Sequence, residues 1–257
     1  MNILCIGDIV GPAAADFVCQ NLWKIRKEYG ITFTVANGEN ADLGNGITAA
    51  TAERLLASGV DVITSGNHIW QKSGIYPFLD DCPYILRPAN YPANNPGHGS
   101  VIVEVSGKRV LVINVQGVVY MEPLASPFDT VDAILKKNEG EYDLAILDIH
   151  AEATSEKAVL AHYFDGRIDI ICGTHTHVQT ADDRILPGGS AFITDLGMCG
   201  VLDSSLGVKY EPVIQKLRTG MPQRFELATG NITMNTAVFV YNEQKKSVEL
   251  VKRVNFS

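Results

Sequence analysis

The sequence lacks any long apolar run, and its hydrophobic stretches are far shorter than the roughly 18 residues that a membrane-spanning helix needs. Its first eleven residues, MNILCIGDIVG, also lack the basic start and the extended apolar segment of a secretory signal peptide. We therefore expect no membrane association, and we predict a cytoplasmic location.

Clusters of basic residues are absent as well. No run of five or more Lys and Arg residues occurs, and the formal net charge is -8. Because binding in a groove of duplex DNA requires many basic contacts to phosphates, we do not expect duplex DNA as a partner. A small phosphorylated substrate remains compatible with this charge, since bound metal ions can supply a local positive field.

Paired cysteines are also lacking. The five cysteines, Cys5, Cys19, Cys82, Cys172 and Cys199, are scattered and include no C-x-x-C pair. This spacing argues against a disulfide framework and against a thiolate zinc site. Cys5 and Cys172 lie within apolar runs and are interpreted as small buried hydrophobic residues.

The composition that is present is typical of a globular enzyme. Hydrophobic residues make up 46% of the 257 positions and charged residues 19%. Short apolar runs alternate with helical patterns, which favours an α/β fold. No repeat, low-complexity segment or flexible linker interrupts the pattern, so we predict a single domain over residues 1–257. Strands are predicted at 2–6, 32–36, 60–64, 100–105, 109–115, 144–148, 168–172, 190–194, 236–241 and 247–254, and helices at 12–29, 48–58, 130–137 and from 155.

Side chains that can bind metal ions follow five of these predicted strands. In open α/β sheets, ligand sites form outside the carboxyl ends of the strands. We therefore expect these side chains to meet at a single sheet edge, together with one further imidazole, that of His68. The metal-capable residues are Asp8, Glu39, Asn40, Asn67, His150, His175 and His177.

Each of these elements also has a simpler structural explanation. A lone Gly7-Asp8 is usually a capped turn, and an isolated His150 usually makes a local hydrogen bond. His175 and His177 differ, since side chains at i and i+2 share one face of an extended segment, so both imidazoles are expected to point the same way. The simple explanation would have to hold at all five elements at once, and we favour a functional site. The other two histidines of the chain, His98 and His162, are interpreted as structural.

Six motifs resemble one known family, the YmdB-like branch of the calcineurin-type metallophosphoesterases. The resemblance covers essentially the whole chain, in order. It implies a metallophosphoesterase-type αββα sandwich, with mixed sheets flanked by helices and a dinuclear metal site at the carboxyl edge of the strands. The motifs are GDIVG around Asp8, NGEN at 37–40, GNH at 66–68, DIHAEATSEK at 148–157, GTHTHVQTAD at 173–182 and ITDLGMCG at 193–200.

The chain departs from the wider superfamily pattern at two positions. Val10 stands where that pattern has its first histidine, and Glu39 replaces the bridging aspartate, with Asn40 beside it. The resemblance implies that Asp8, Glu39, Asn40 and His177 hold one metal ion. It implies that Glu39, Asn67, His150 and His175 hold the other, with Glu39 bridging. Iron or manganese is favoured for this mixed donor set, and zinc, cobalt or magnesium are alternatives.

The chemistry implied by the resemblance is hydrolysis of a phosphate ester. Two divalent ions and two carboxylates leave an excess of about two positive charges, which attracts a phosphodiester and activates a bridging water for in-line attack. His68 is implied to protonate the leaving oxygen. The implied substrates are 2′,3′-cyclic or 3′,5′-cyclic nucleoside monophosphates, with simple phosphomonoesters as further candidates. A homo-oligomer, dimer or tetramer, is also implied.

Other functions find less support in the sequence. A metal-containing regulatory protein that acts through partners in RNA decay remains an alternative, although no residue pattern indicates a partner surface. A serine esterase is disfavoured because Ile9 occupies the nucleophile position, and a dinucleotide-binding enzyme because G-x-G-x-x-G is absent. The segment 44–46, before Thr48, could hold a phosphate at a helix N-terminus, but the ending of a P-loop is absent and we favour a flexible connector. Trp70, Tyr76 and Tyr120 could stack on a nucleobase, but as single aromatic residues they are interpreted as packing residues.

Overall fold

The computed structural model describes all 257 residues, and two facing β-sheets flanked by helices form its layers. Two single-turn 3₁₀ segments, Ile69–Gln71 and Ser73–Ile75, precede the third α-helix. The strands are β1 Asn2–Ile6, β2 Asp8–Ile9, β3 Ile31–Asn37, β4 Val62–Thr64, β5 Ser100–Val105, β6 Lys108–Gln116, β7 Leu144–His150, β8 Ile170–Thr174, β9 Arg184–Ile185, β10 Ala191–Ile193, β11 Met198–Val201, β12 Ile232–Asn242 and β13 Ser247–Phe256. The helices are α1 Pro12–Glu28, α2 Ala49–Ala57, α3 Tyr76–Asp81, α4 Pro127–Lys137, α5 Thr154–Phe164 and α6 Tyr210–Thr219.

Both sheets are mixed. The first has seven strands in the order β2-β11-β12-β1-β3-β4, with β13 paired to β12, and the second has six in the order β5-β6-β7-β8-β10-β9. Within the first sheet β1, β3 and β4 run parallel, and within the second β6, β7, β8 and β10 do. These parallel segments supply the strand ends on which the site is built.

Three apolar clusters hold the layers together. The central cluster joins the facing sides of the two sheets, for example Phe33 and Val35 from the first sheet with Val112 and Ile146 from the second. A second cluster packs α1 and α2 on the outer face of the first sheet. A third packs α4 and α5 on the outer face of the second sheet. This arrangement is the αββα sandwich, with one apolar layer between the two sheets and one between each sheet and its helices.

Local sequence signals explain most of the element boundaries. Pro12 occupies the first turn of α1, where its missing N–H costs no hydrogen bond. The Thr48 side chain accepts a hydrogen bond from Thr51 N and caps α2, as predicted. Between β5 and β6, Ser106 and Gly107 have φ of 52° and 75°, which a tight type I′ hairpin requires.

The sequence-based elements are recovered with small shifts and several omissions. The strands predicted at 60–64 and 168–172 begin two residues later, at Val62 and Ile170. The short strands β2, β9 and β11 and the helix α3 were not predicted, because segments of two to six residues give too little periodicity. Helix α6 was not predicted either, and it buries no residue. No helix of the structure combines the length and the hydropathy needed to cross a bilayer.

Candidate metal centre

The predicted site residues converge at one end of the molecule, but on two sheets rather than one. Asp8, Glu39 and Asn67 follow β1, β3 and β4 of the first sheet, whereas His150 ends β7 and His175 follows β8 of the second. The expectation of a single sheet edge is therefore wrong. The facing of the two sheets, which periodicity does not reveal, brings the carboxyl ends of both sets of strands together.

His150 lies at the centre of a dense group of donor atoms. Its Nε2 lies 3.2 Å from Glu39 Oε2, 3.2 Å from Asn67 Oδ1 and 3.1 Å from His175 Nδ1. The ligand atoms of Glu39, His150 and His175 all lie within 4.8 Å of one another. One ring nitrogen carries at most one proton, so hydrogen bonds alone cannot satisfy three such neighbours. A cation among these atoms would satisfy them together.

A second group of donors surrounds the Asp8 carboxylate, which is completely buried. Asp8 Oδ2 accepts a hydrogen bond from His175 N at 3.0 Å, but Oδ1 has no hydrogen-bond partner. His177 Nε2 lies 3.9 Å from this oxygen and 3.4 Å from Asn40 Nδ2. A buried carboxylate oxygen without a partner costs free energy that a bound cation would recover.

The three histidines of the cluster have their outer ring nitrogens engaged by oxygen atoms of the chain. Such contacts fix the tautomer and leave the inner nitrogen with a free lone pair, the arrangement found around metal-binding histidines. His150 Nε2, His175 Nδ1 and His177 Nε2 are thereby presented to the cluster. The outer contacts are His150 Nδ1 to Thr174 Oγ1 at 2.9 Å, His175 Nε2 to Glu152 Oε2 at 3.0 Å and His177 Nδ1 to Leu206 O at 3.1 Å.

Burial and mutual interaction shift the titration of these groups. Burial raises the pKa of Asp8 to about 6 against the opposing effect of His177. Burial also opposes ionisation of Glu39, but the neighbouring His150 outweighs it and holds the pKa of Glu39 well below its usual range. Burial disfavours protonation of His150, yet the Glu39 carboxylate outweighs it and raises the pKa of His150 to about 9. Burial, aided by His150, lowers the pKa of His175 to about 3. Without a cation, the Glu39 carboxylate therefore favours a proton on His150, and this proton must leave when His150 Nε2 binds a metal ion.

His68 stands at the border between this cluster and open solvent. Its Nδ1 lies 3.2 Å from Glu39 Oε1 and 3.0 Å from Asn40 Oδ1, and its backbone N–H donates to Glu39 Oε2 at 3.1 Å. Asn45 Nδ2 lies 3.3 Å from its Nε2. His68 also lines a cavity of about 610 Å³ that opens beside the cluster. Its imidazole can therefore reach a ligand in the cavity.

The segment that carries His175 and His177 is not the extended strand that was expected. Both residues have positive φ, 98° and 65° respectively, a conformation that costs non-glycine residues energy. Thr176 between them is held by Asp195, whose Oδ2 accepts from Thr176 N at 3.1 Å and from Thr176 Oγ1 at 2.7 Å. The prediction of one shared face is wrong, because this bend directs the two imidazoles to different donor groups.

Two residues that were not among the predicted site residues, Asn45 and Glu152, lie at the site. Asn45 lines the cavity and contacts His68, so segment 44–46 is part of the site and not merely a connector. Glu152 lies inside the DIHAEATSEK motif, but only the contact with His175 reveals its role. Trp70 packs edge-on against Tyr76 and Tyr91, as predicted, whereas Tyr120 is 89% exposed and the prediction that it packs is wrong.

Comparison with known proteins assigns the chain to a family. A family profile described as YmdB-like protein matches residues 4–254. The chain belongs to the YmdB-like family. A Bacillus subtilis (strain 168) member described as a 2′,3′-cyclic-nucleotide 2′-phosphodiesterase is 44% identical over 254 residues, which cover 99% of this chain and 96% of the relative.

Two solved structures resemble this YmdB-like chain over its whole length. A hypothetical protein from Thermus thermophilus superposes with a TM-score of 0.93 at 36% identity, covering 100% of this chain and 99% of the other. A novel phosphatase from Mycoplasma pneumoniae superposes with a TM-score of 0.94 at 32% identity, covering 100% and 93%. The predicted metallophosphoesterase-type fold and the predicted enzyme class, a phosphoesterase, are confirmed.

Proposed function

We propose that this YmdB-like protein is a dinuclear metal-dependent phosphodiesterase that hydrolyses cyclic nucleotides, with 2′,3′-cyclic nucleoside monophosphates as its main substrates. The single observation that carries the proposal is the crowded donor cluster around His150 and the partnerless Asp8 oxygen, which lie beside a cavity of about 610 Å³. The description of the Bacillus subtilis relative supports the choice of substrate.

The distances support two overlapping sets of metal ligands, with the Asn40 amide turned so that its oxygen takes the place of the nitrogen that faces His177. Asp8, Asn40 and His177 would hold one ion, and Asn67, His150 and His175 the other. Glu39 would serve both, since its Oε2 faces His150 and its Oε1 faces the Asn40 side. Two divalent ions would supply Lewis acidity and a positive field that binds the phosphate and activates water. Mixed oxygen and imidazole donors suit iron or manganese.

His68 is the proposed proton donor of the reaction. Glu39 and Asn40 orient its Nδ1 side, and the ring borders the cavity with 26% of its side chain exposed. When water attacks phosphorus, the bond from phosphorus to the ribose oxygen breaks and that oxygen requires a proton. An imidazole within reach supplies it, an effect worth roughly 100- to 10,000-fold in rate.

The cellular location and the oligomeric state stay predictions. All five cysteines are free thiols, which suits the reducing cytoplasm. A dimer or tetramer is the expected oligomeric state, to be measured by sedimentation velocity.

Turnover by the metal-loaded protein tests the function. Purified protein should contain about two transition-metal ions per chain. It should cleave 2′,3′-cyclic nucleotides in a panel that includes 3′,5′-cyclic nucleotides and simple phosphomonoesters. His68→Ala should keep the metal ions and lose roughly 100-fold or more in kcat, because the leaving oxygen loses its proton donor. Elemental analysis and product chromatography provide the two readouts.

The outcomes separate the two functions under consideration. Unchanged turnover in His68→Ala would remove this residue from the mechanism. Absence of metal after reconstitution would end the dinuclear proposal. A metal-loaded protein that cleaves nothing in the panel would favour the regulatory binding protein.

A further inference from the structure

The cavity beside the donor cluster has two unlike walls. One wall is polar and includes Glu39, His68 and His175. The other wall is apolar and consists of Val10, Leu206, Val208, Val213, Phe225 and Leu227. The proposed hydrolysis uses only the polar wall, so the apolar wall is free to contact another part of a bound ligand.

Two residues of the apolar wall, Val213 and Phe225, belong to a segment, residues 209–226, which we call the excursion. An antiparallel bridge between Val208 and Leu227 closes its neck. Lys209 N donates to Glu226 O and Ala228 N to Gly207 O, each at 2.9 Å. Its helix α6 has no buried residue, so the excursion does not pack into the core, and its Val213 and Phe225 border the cavity.

The side chain of Val10 contacts this neck close to the donor cluster. A Cβ atom at Gly207 would overlap the Val10 side chain, and one at Gly11 would overlap the Leu227 side chain. The segment that contains Val10 and Gly11 therefore lies directly against the neck at both glycines. Val10 follows Asp8 by two residues and stands where the superfamily pattern has a histidine. The apolar wall therefore continues directly from the Asp8 segment of the donor cluster.

Phe225 is the aromatic residue of this wall. It lines the cavity and is 43% exposed, and Lys216 Nζ lies 5.0 Å from its ring centroid. The excursion contains four basic and two acidic residues, in a chain of formal net charge -8. Lys216 covers one face of the Phe225 ring, so the excursion offers the other face for stacking together with a local positive charge, a combination that suits a flat, anionic ligand.

We propose that the excursion binds the nucleobase of the substrate, with the base stacked on Phe225 while the phosphate lies at the donor cluster. This inference rests on the proposed cyclic-nucleotide function and deepens it. Base-to-aromatic stacking tolerates different bases, because every base has a π-face. The cavity volume of about 610 Å³ falls within the range of roughly 300 to 1,000 Å³ typical of small-ligand sites.

Equilibrium binding tests the proposal independently of turnover. Isothermal titration of metal-loaded protein with adenosine 3′-monophosphate and with inorganic phosphate separates the base from the anion. Phe225→Ala should raise the Kd for the nucleotide roughly 5- to 100-fold, because the stacking face is lost, and leave the Kd for phosphate unchanged. Phe225→Tyr should restore nucleotide binding. Leu217→Ala, in α6 at 79% exposure and outside the cavity lining, is the matched control and should behave as wild type.

Contrary results have defined meanings. The proposed nucleobase site would be overturned if the wild-type protein bound the nucleotide no more tightly than phosphate. It would also be overturned if Phe225→Ala weakened the binding of both ligands equally. Unchanged binding in Phe225→Ala together with an altered sedimentation coefficient would overturn it too and would assign the surface to a second copy of the chain. Nucleotide binding that depends on Phe225 but leads to no hydrolysis would support the nucleobase site and contradict the proposed function.

Discussion

At the scale of single residues, the orientation of each imidazole depends on a residue outside the donor cluster. The hydrogen-bonded series of side chains from His150 through Thr174 to Asp148 is the most deeply buried example. His150 Nδ1 faces Thr174 Oγ1 at 2.9 Å, and that hydroxyl donates to Asp148 Oδ1 at 2.8 Å. All three residues are buried, so no water can substitute for the threonine. The hydroxyl therefore directs His150 Nε2 towards Glu39.

Thr174→Val tests this orientation. The valine removes the acceptor for His150 Nδ1, so the ring loses its fixed tautomer, and we expect the affinity for metal ions to fall roughly 10- to 100-fold. Competition with a chromogenic chelator measures the affinity. Thr174→Ser keeps the hydroxyl and should bind metal like wild type. Equal affinity in the valine and serine variants would show that Thr174 has no role in orienting the ring.

At the scale of elements, an ion pair joins helix α5 to the segments that carry the site. Lys157 Nζ in α5 lies 2.6 Å from Asp195 Oδ2, and both side chains are almost fully buried. The same carboxylate holds Thr176 in the bend between His175 and His177. The helix therefore stabilises the strained bend on which two of the imidazoles depend.

Lys157→Met should destabilise the protein strongly. The methionine fills similar space but leaves Asp195 buried without its cation, which typically costs about 3–5 kcal/mol in the free energy of unfolding. Urea unfolding measures the loss as a lower midpoint. The control is Lys245→Met at the exposed Lys245–Glu249 pair, where solvent screens the charges and no comparable shift is expected. Equal midpoints for the two variants would contradict a stabilising role for the buried pair.

At the scale of the whole molecule, the central apolar cluster is shared by both sheets. Neither sheet can keep its inner face out of water without the other, as the contacts of Phe33 and Ile146 within one cluster illustrate. We therefore propose that residues 1–257 fold as one domain, in agreement with the absence of a linker in the sequence.

One cooperative transition should accompany unfolding of the metal-free protein. If the two sheets depend on each other, far-ultraviolet and near-ultraviolet circular dichroism should report the same midpoint, and the calorimetric and van't Hoff enthalpies should agree. Two separate midpoints would contradict a single cooperative unit.

Local patterns along the chain were enough to predict most of the elements and to select polar residues that the fold brings close together. Periodicity located most of the strands, because alternation of buried positions is a local property, and polar residues after strands marked Asp8, Glu39 and the histidines. The motifs indicated the family, since several of them are long and occur in order along the chain.

How these residues meet became visible only in the folded chain. Three features join residues that lie far apart in the chain: the facing of the two sheets, the Lys157–Asp195 pair and the cavity wall that contains Phe225. A fourth feature, the bend at His175 and His177, depends on backbone conformations outside regular periodicity. Local sequence patterns carry no information about such contacts, because their energies arise from burial and proximity that exist only after the layers have packed.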